Sequence, residues 1–183
     1  MLSNHQIAKS PDHQIRHWLT AAYTVEMVAL AVWVGGLVVI IASVIPAVFN
    51  SFGMEPGGRF LTRVFDGYNR VVLVAMAAMG GTIAVRVWGQ QAGWSSHAMP
   101  ERTEAILFGT MVLVATLIIF ILGPQAVSLQ EDAFGTKDEG ARKAAYDAFF
   151  RVHMIVRGLY IVNLGLGIGL LTVKLKSFLR NGS

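Results

Sequence analysis

Four long apolar stretches alternate with short polar segments along this chain. Charge-free runs cover residues 27–49 and 105–127, and shorter ones cover 71–85 and 158–173. A helix that crosses a bilayer needs about 20 apolar residues. The two shorter runs reach that length if charged side chains in their end turns extend towards the headgroups. The pattern therefore predicts an all-α integral membrane protein with four transmembrane helices packed as a bundle.

The residues before the first apolar run are polar and do not form a conventional signal peptide. Ser10, Pro11 and Asp12 are the residue types of a helix N-cap and first turn, so a helix is expected to begin near Pro11. A helix from there to residue 49 would be about 58 Å long, which exceeds a bilayer. Its first part is therefore predicted to be an amphipathic helix in the membrane interface.

The sequences FDGYNRV and YDAFFRV lie eighty-one residues apart and share one pattern of aromatic and charged positions. Asp66 and Arg70 in the first, like Asp147 and Arg151 in the second, are four residues apart, so each pair shares one helix face. The simpler interpretation is an ion pair that orients the start of each second helix at the membrane surface. The alternative is that both motifs converge into one polar site at an end of the bundle.

The similarity extends upstream of these motifs. Glu26 precedes Pro46 by twenty residues, and Glu104 precedes Pro124 by the same number. We infer a duplicated helical hairpin, with copies at about 26–88 and 104–173. Because each copy has an even number of spans, the two are predicted to be parallel repeats related by an axis along the membrane normal.

These boundaries give a polar N-terminal segment 1–25, a transmembrane domain 26–175 and a polar tail 176–183. Thr136 and Glu139 have capping-box spacing and are expected to open the last long helix. Gly57 and Gly58 are expected to interrupt the equivalent place in the first copy.

Composition supports the membrane assignment. Hydrophobic residues make up 54% of the 183-residue chain and charged residues only 14%, whereas globular chains carry about 25% charged residues. Mean hydropathy is +0.55. The absence of cysteine excludes disulfides and thiolate metal sites. The basic pI near 9.7 reflects Lys and Arg at the ends of apolar runs, so we expect contact with lipid headgroups and no nucleic-acid partner.

The orientation in the membrane is not specified by charge. Lys and Arg divide evenly between the two sides of the predicted spans, so the positive-inside rule gives no preference. Trp18, Trp88 and Trp94 all lie on the side of the chain termini, as an interfacial belt of aromatic residues would.

Several polar residues inside or beside the apolar runs are candidate functional residues. Glu26 would be a functional hypothesis if it lies in hydrocarbon, although the repeat with Glu104 also allows an interfacial position. His153 is a candidate metal ligand or proton carrier, or hydrogen-bonds a carbonyl. Arg157 should pair with an acid, namely Glu26, Asp147 or Asp66, and Asn163 lies deeper in the same helix.

A second candidate metal site lies near the N-terminus. His13 and His17 are four residues apart on the predicted interfacial helix, a spacing that can bind Zn²⁺ or Cu²⁺. Two imidazoles without a thiolate make a weak site. The sequence leaves the cofactor unknown, and a metal such as copper is the candidate.

Glycine patterns in two helices are expected to mark close helix packing. They are Trp33 with Gly35 and Gly36 in the first helix, and Gly165-x-x-x-Gly169 in the last. The chain has no nucleophile–base pair, phosphate loop, HExxH or CxxCH motif, so we do not expect an enzyme.

The stretch with Trp33, Gly35, Gly36, Pro46 and Phe49 resembles the opening of the domain of unknown function 4149 family, which includes the transmembrane protein 205-like proteins. The last helix is similar to that family's last helix in its histidine, here His153, its following polar residue, here Asn163, and its Gly-Leu-rich end. The resemblance implies a four-helix membrane protein whose biochemical role is unsettled, and for the transmembrane protein 205-like members an association with metal-drug tolerance.

The same opening looks like the copper-resistance D (CopD) family, in which a histidine commonly precedes the W-x-G-G motif. Here the residue seven positions before Trp33 is Glu26. This departure weakens any inference of copper binding from that resemblance.

Two functional hypotheses follow. In the first, the bundle binds or transports a metal ion or small solute through Glu26, His153, Arg157 and Asn163. In the second, the protein is a non-catalytic accessory or assembly subunit whose polar residues only pair within the bundle. The expected partners are the lipid bilayer and either a second copy or a membrane complex. The expected location is the bacterial inner membrane.

Overall fold

The computed structural model describes residues 11–91 and 101–181, and within these two ranges it contains no strand. Helices α1 to α6 are Pro11–Val39, Ile45–Phe52, Met54–Gln91, Arg102–Leu117, Gly123–Gly135 and Glu139–Asn181, and π-helical turns at Ile40–Val44 and Ile118–Leu122 join α1 to α2 and α4 to α5. Four continuous helical stretches are long and apolar enough to cross a membrane: His17–Phe52, Met54–Gln91, Arg102–Gly135 and Glu139–Ser177. The prediction of an all-α protein with four spanning helices is confirmed.

Both hairpins have the same irregularity at the same place. Pro46 and Pro124 lie in the first turns of α2 and α5, directly after the π-helical turns. Proline lacks a backbone N–H and clashes with the preceding turn, and a π-helical turn widens the backbone there without ending the helix. The two turns begin seventy-eight residues apart, at Ile40 and Ile118. This is the spacing of the prolines themselves, so the structure supports the inferred hairpin repeat.

The turns between helices differ from those predicted. The first hairpin reverses at Gly53, whose φ of 74° lies in the region that favours glycine. Gly57 and Gly58 lie inside α3 and interrupt nothing. The cap of α6 is Asp138, whose Oδ2 accepts a hydrogen bond of 2.8 Å from the Ala141 amide.

Thr136 is therefore not the residue that caps α6. Its hydroxyl instead donates to the Asp132 carbonyl at 2.7 Å, beyond the last residue of α5. The capping-box prediction was wrong because a carboxylate directly before the helix can accept from the orphan amides of the first turn.

The four spans pack around a shared apolar core. Helix α1 contacts α3 and α6, and α4 contacts α6. The core includes Trp33 and Leu37 from α1, which are 2% and 1% exposed. Tyr68 of α3 packs against Gly36, and its hydroxyl donates to the Trp33 carbonyl at 2.8 Å. This hydrogen bond and the small residue beneath it hold the two helices of the first hairpin together.

Close approach of α6 to its neighbours occurs at a glycine that the sequence pattern did not single out. A Cβ on Gly167 would lie 2.5 Å from Val34 Cγ2, whereas nothing lies within 4 Å of a Cβ on Gly165 or Gly35. Gly169 reaches only an ordinary contact with Leu107. The GxxxG prediction named the wrong glycine for this contact, because Gly167 rather than Gly165 faces α1.

The outer surface of the bundle is apolar. Val74, Leu113, Phe120 and Ile121 are each about 60–70% exposed. Exposed apolar surface of this extent is unfavourable in water and neutral in lipid, whose tails are as apolar as leucine. The protein is thus a membrane protein by its surface as well as by its sequence.

Replacing Gly167 by Ala should destabilise the bundle by about 1–3 kcal/mol, since the new methyl group forces α6 away from Val34. Gly165→Ala is the matched control, because it makes the same change in helix propensity in open space. Thermal unfolding in detergent, followed by circular dichroism, measures both. Equal midpoints for the two variants would contradict the packing described here.

Candidate functional site: a buried charge quartet

Four charged side chains, one from each spanning helix, meet inside the bundle. They are Glu26 of α1, Arg86 of α3, Glu104 of α4 and Lys174 of α6, and their exposed fractions are 0%, 1%, 3% and 4%. We refer to these four residues as the charge quartet. Such residues almost never become fully buried unless they are paired, and here each is paired twice.

The two bases bridge both acids. Arg86 Nη1 donates to Oε1 and Oε2 of Glu26, at 3.1 and 3.0 Å, and to Glu104 Oε1 at 3.1 Å. Lys174 Nζ donates to Glu26 Oε2 and to Glu104 Oε1. The contacts form a closed ring of alternating acid and base, so each glutamate is held by both hairpins.

Tyr23 completes the environment of Arg86. The guanidinium carbon lies 4.5 Å from the centroid of the Tyr23 ring, and Nη2 donates to the Tyr23 hydroxyl at 3.1 Å. A ring face attracts a cation most strongly where water is excluded. This contact anchors the guanidinium to α1 independently of Glu26.

The quartet is neutral as a unit, with two carboxylates against one guanidinium and one ammonium. An isolated charge at membrane depth is costly, and a buried ion pair is tolerated only when its remaining hydrogen-bonding capacity is satisfied. The arrangement meets the first requirement by using one charge from each helix, and each charge takes part in two ion pairs. It therefore fixes the four helices relative to one another.

The quartet has a sequence signal, although Glu26 was the one member predicted as a functional residue. Each member is the charged residue that borders an apolar run on the side of the chain termini: Glu26 before 27–49, Arg86 after 71–85, Glu104 before 105–127 and Lys174 after 158–173. Because consecutive spans run in opposite directions, these four borders fall at the same end of the bundle. Trp18 and Trp88 are about two-thirds exposed at that end, as an interfacial belt would be.

An apolar layer lies next to the quartet along every helix. Leu30, Met79, Met111 and Leu170 are each 0% exposed. On each span this residue lies between the quartet member and the middle of the helix. All four belong to one buried apolar core, which lies between the quartet and the polar groups deeper inside.

The residues predicted to form a binding site do not come together. His153 is exposed, with its ring 5.4 Å from that of Phe149. It is 21 residues from Lys174 on α6, which is about 31 Å along the helix. Glu26 contacts Lys174, so His153 and Glu26 cannot ligate one ion. Asn163 is buried but lies between these two levels.

In the described parts of the chain, none of the three acids named as possible partners of Arg157 forms an ion pair with it. The acid that the sequence offered first, Glu26, pairs with Arg86 and Lys174 instead. Arg157 itself is exposed on α6, near the opposite boundary of the apolar run 158–173. A long side chain there can extend to the headgroups without an acid partner.

The repeated Asp–Arg motifs lie on the surface. Arg70 and Asp66 form an exposed ion pair of 2.8 Å, and Arg151 Nε donates to the backbone carbonyl of Asp147 at 3.3 Å. Both arrangements are local to their own helix. The two motifs therefore do not converge into one site. The prediction that they orient helix starts was also wrong, because α3 begins at Met54 and α6 at Glu139, well before the motifs.

The predicted histidine pair near the N-terminus lies partly outside the described residues. His17 is exposed, and the side chain of His13 lies outside the described residues. Among the residues that the structure does describe, no three His, Asp or Glu side chains are grouped closely enough to hold a metal ion.

Comparison with known families and proteins identifies one relationship. The family model for a domain of unknown function (DUF4149) matches residues 28–134, which is more than half of the chain. The match includes Trp33, Gly35, Gly36 and Pro46 and confirms the resemblance seen there; it does not extend to α6. No curated protein and no solved structure matches the chain.

Neutralising one member of the quartet should be far more damaging than neutralising a surface pair. Glu26→Gln leaves two buried cations facing one carboxylate, and removing one partner of a buried pair costs about 3–5 kcal/mol. The exposed-pair control Asp66→Asn should cost less than about 1 kcal/mol. Unfolding free energies in detergent measure both effects, and similar values for the two variants would contradict the role given to the quartet.

A second substitution tests whether charge balance is the cause. Adding Lys174→Met to Glu26→Gln leaves Arg86 and Glu104 as a neutral pair. The double variant should therefore be less destabilised than the sum of the two single variants, which a double-mutant cycle measures. Strict additivity would show that the quartet does not act as a unit.

Proposed function

Because the chain belongs to the DUF4149 family, whose description carries no activity, we propose a function from the geometry: a non-catalytic accessory or assembly subunit of a membrane complex. The observation that carries this proposal is that all four buried charges satisfy one another. Both carboxylates are already engaged by Arg86 and Lys174, so a solute would have to compete with these buried ion pairs. The bacterial inner membrane is the location we assign to this subunit.

The buried apolar core beside the quartet also favours an accessory role over a transport role. A transported ion would need polar groups or water along its path, since an unsolvated charge in hydrocarbon is costly. The layer of Leu30, Met79, Met111 and Leu170 offers none. With its interior self-satisfied, the protein has its outer surface left for interactions, whether with a second copy or with another membrane protein.

Binding of a metal ion or small solute is the competing proposal, and its candidate ligands are too far apart to support it. His153 and Lys174 of the quartet are about 31 Å apart along α6 by helix rise. A copper site at His153 would have to form without Glu26. This leaves one imidazole, which is fewer ligands than a stable copper site needs.

The experiment is to isolate the full-length tagged protein from its native membranes in mild detergent and to measure its mass and metal content. We expect an assembly of fixed stoichiometry heavier than the 19.9 kDa chain, without a stoichiometric metal. His153→Ala should leave mass and fold unchanged. A monomer that carries one metal ion per chain, lost in His153→Ala, would overturn the proposal and establish the metal-binding function instead.

A further inference from the structure

A second group of polar side chains lies in the middle of the bundle, away from the quartet. The Tyr68 hydroxyl donates to the Trp33 carbonyl at 2.8 Å, and the Tyr160 hydroxyl donates to Asn69 Oδ1 at 3.1 Å. Asn163 is 3% exposed. Its Oδ1 is buried and has no hydrogen-bond partner among the described residues. Buried polar atoms are normally paired, so this oxygen requires an explanation.

These side chains line a small cavity. Tyr68 and Asn69 line it from α3 and Tyr160 and Asn163 from α6, and Ala115 of α4 forms part of the opposite wall. The volume open to the centre of a water molecule is about 10 Å³. This is close to the minimum that holds one water molecule, and it is too small for an organic solute.

The hydrogen-bonding state of the lining determines what can bind. The protons of both tyrosine hydroxyls are already donated, so each hydroxyl oxygen can only accept. Asn163 Oδ1 is also an acceptor and is unoccupied. The occupant must therefore donate hydrogen bonds, and it must fit the space of one water molecule.

We propose that this cavity is a binding site for one ordered water molecule, which donates to Asn163 Oδ1 and to a second lining oxygen. The water then connects α3 of the first hairpin to α6 of the second. A buried water typically makes two to four hydrogen bonds, and the four polar side chains of the lining provide them. The site is independent of the accessory function proposed above.

A monovalent cation is the alternative occupant, since acceptor oxygens can also coordinate a cation. The lining does not favour it. All four polar side chains around the cavity are neutral amides and phenols, and no carboxylate lines it. Neutral oxygens alone would have to replace the hydration of an unpaired charge at membrane depth, which is costly. A water molecule donates hydrogen bonds to the same oxygens without that cost.

The test uses the full-length protein in lipid nanodiscs, labelled with ¹⁵N-asparagine, and measures magnetisation transfer from water to the Asn163 side-chain amide. We expect a water cross-peak at Asn163 although this side chain is buried. Ala115→Val fills the cavity and should abolish the cross-peak. Ala105→Val is the matched control, since Ala105 is exposed on the same helix and its substitution leaves the cavity intact.

Three results would overturn the proposal. One is a wild-type protein, correctly folded, with no water cross-peak at Asn163. Another is a cross-peak that persists unchanged in a folded Ala115→Val variant. The third is an Asn163 signal that shifts when sodium, potassium or ammonium is exchanged, which would identify an ion. If Ala115→Val fails to fold, the wild-type measurement decides alone.

Discussion

The need to bury four charges without leaving any of them unpaired is the constraint on which this bundle depends. A glutamate, an arginine, a second glutamate and a lysine, one from each span, meet with almost no exposure. No single helix can satisfy its own member, because every hydrogen bond of the quartet joins different helices. The packing of the four spans is thereby tied to one arrangement, whereas apolar packing alone has little preference in lipid.

This constraint also limits what the interior can do. The charges of the quartet are already paired with one another. The apolar layer of Leu30, Met79, Met111 and Leu170 separates them from the water-sized cavity. The quartet and the polar lining of the cavity are therefore two separate polar groups inside the bundle. This separation is the reason for proposing that the protein acts through its outer surface.

Much of the architecture could be predicted from sequence because hydropathy and proline spacing are strong, one-dimensional signals. The number of spans, the duplication and the fact that Pro46 and Pro124 occupy equivalent places all follow from them. The quartet could be predicted only for Glu26. Arg86 and Lys174 looked like ordinary charges at helix ends, and whether such a charge faces lipid or the bundle axis depends on helix rotation, which hydropathy does not specify.

The same limitation explains the errors at glycines and caps. Gly165 and Gly167 are two residues apart and lie on different sides of α6, and only the packed structure shows that Gly167 meets Val34. Thr136 and Asp138 are both reasonable N-cap residues, and the choice depends on where α5 ends. His153 and Arg157 were grouped with Glu26 by polarity, although helix rise alone places His153 about 31 Å from the quartet.

The duplication gives the quartet a further physical consequence. Each hairpin contributes one acid and one base, Glu26 with Arg86 and Glu104 with Lys174, and both of these contacts within a hairpin are present. Each hairpin is therefore neutral at this level by itself, which lowers the cost of having charged residues at membrane depth. The contacts between hairpins, Glu26 with Lys174 and Glu104 with Arg86, use the same side chains. The same four side chains thus neutralise each hairpin and also join the two hairpins. Duplication of a hairpin with one acid and one base supplies both kinds of contact.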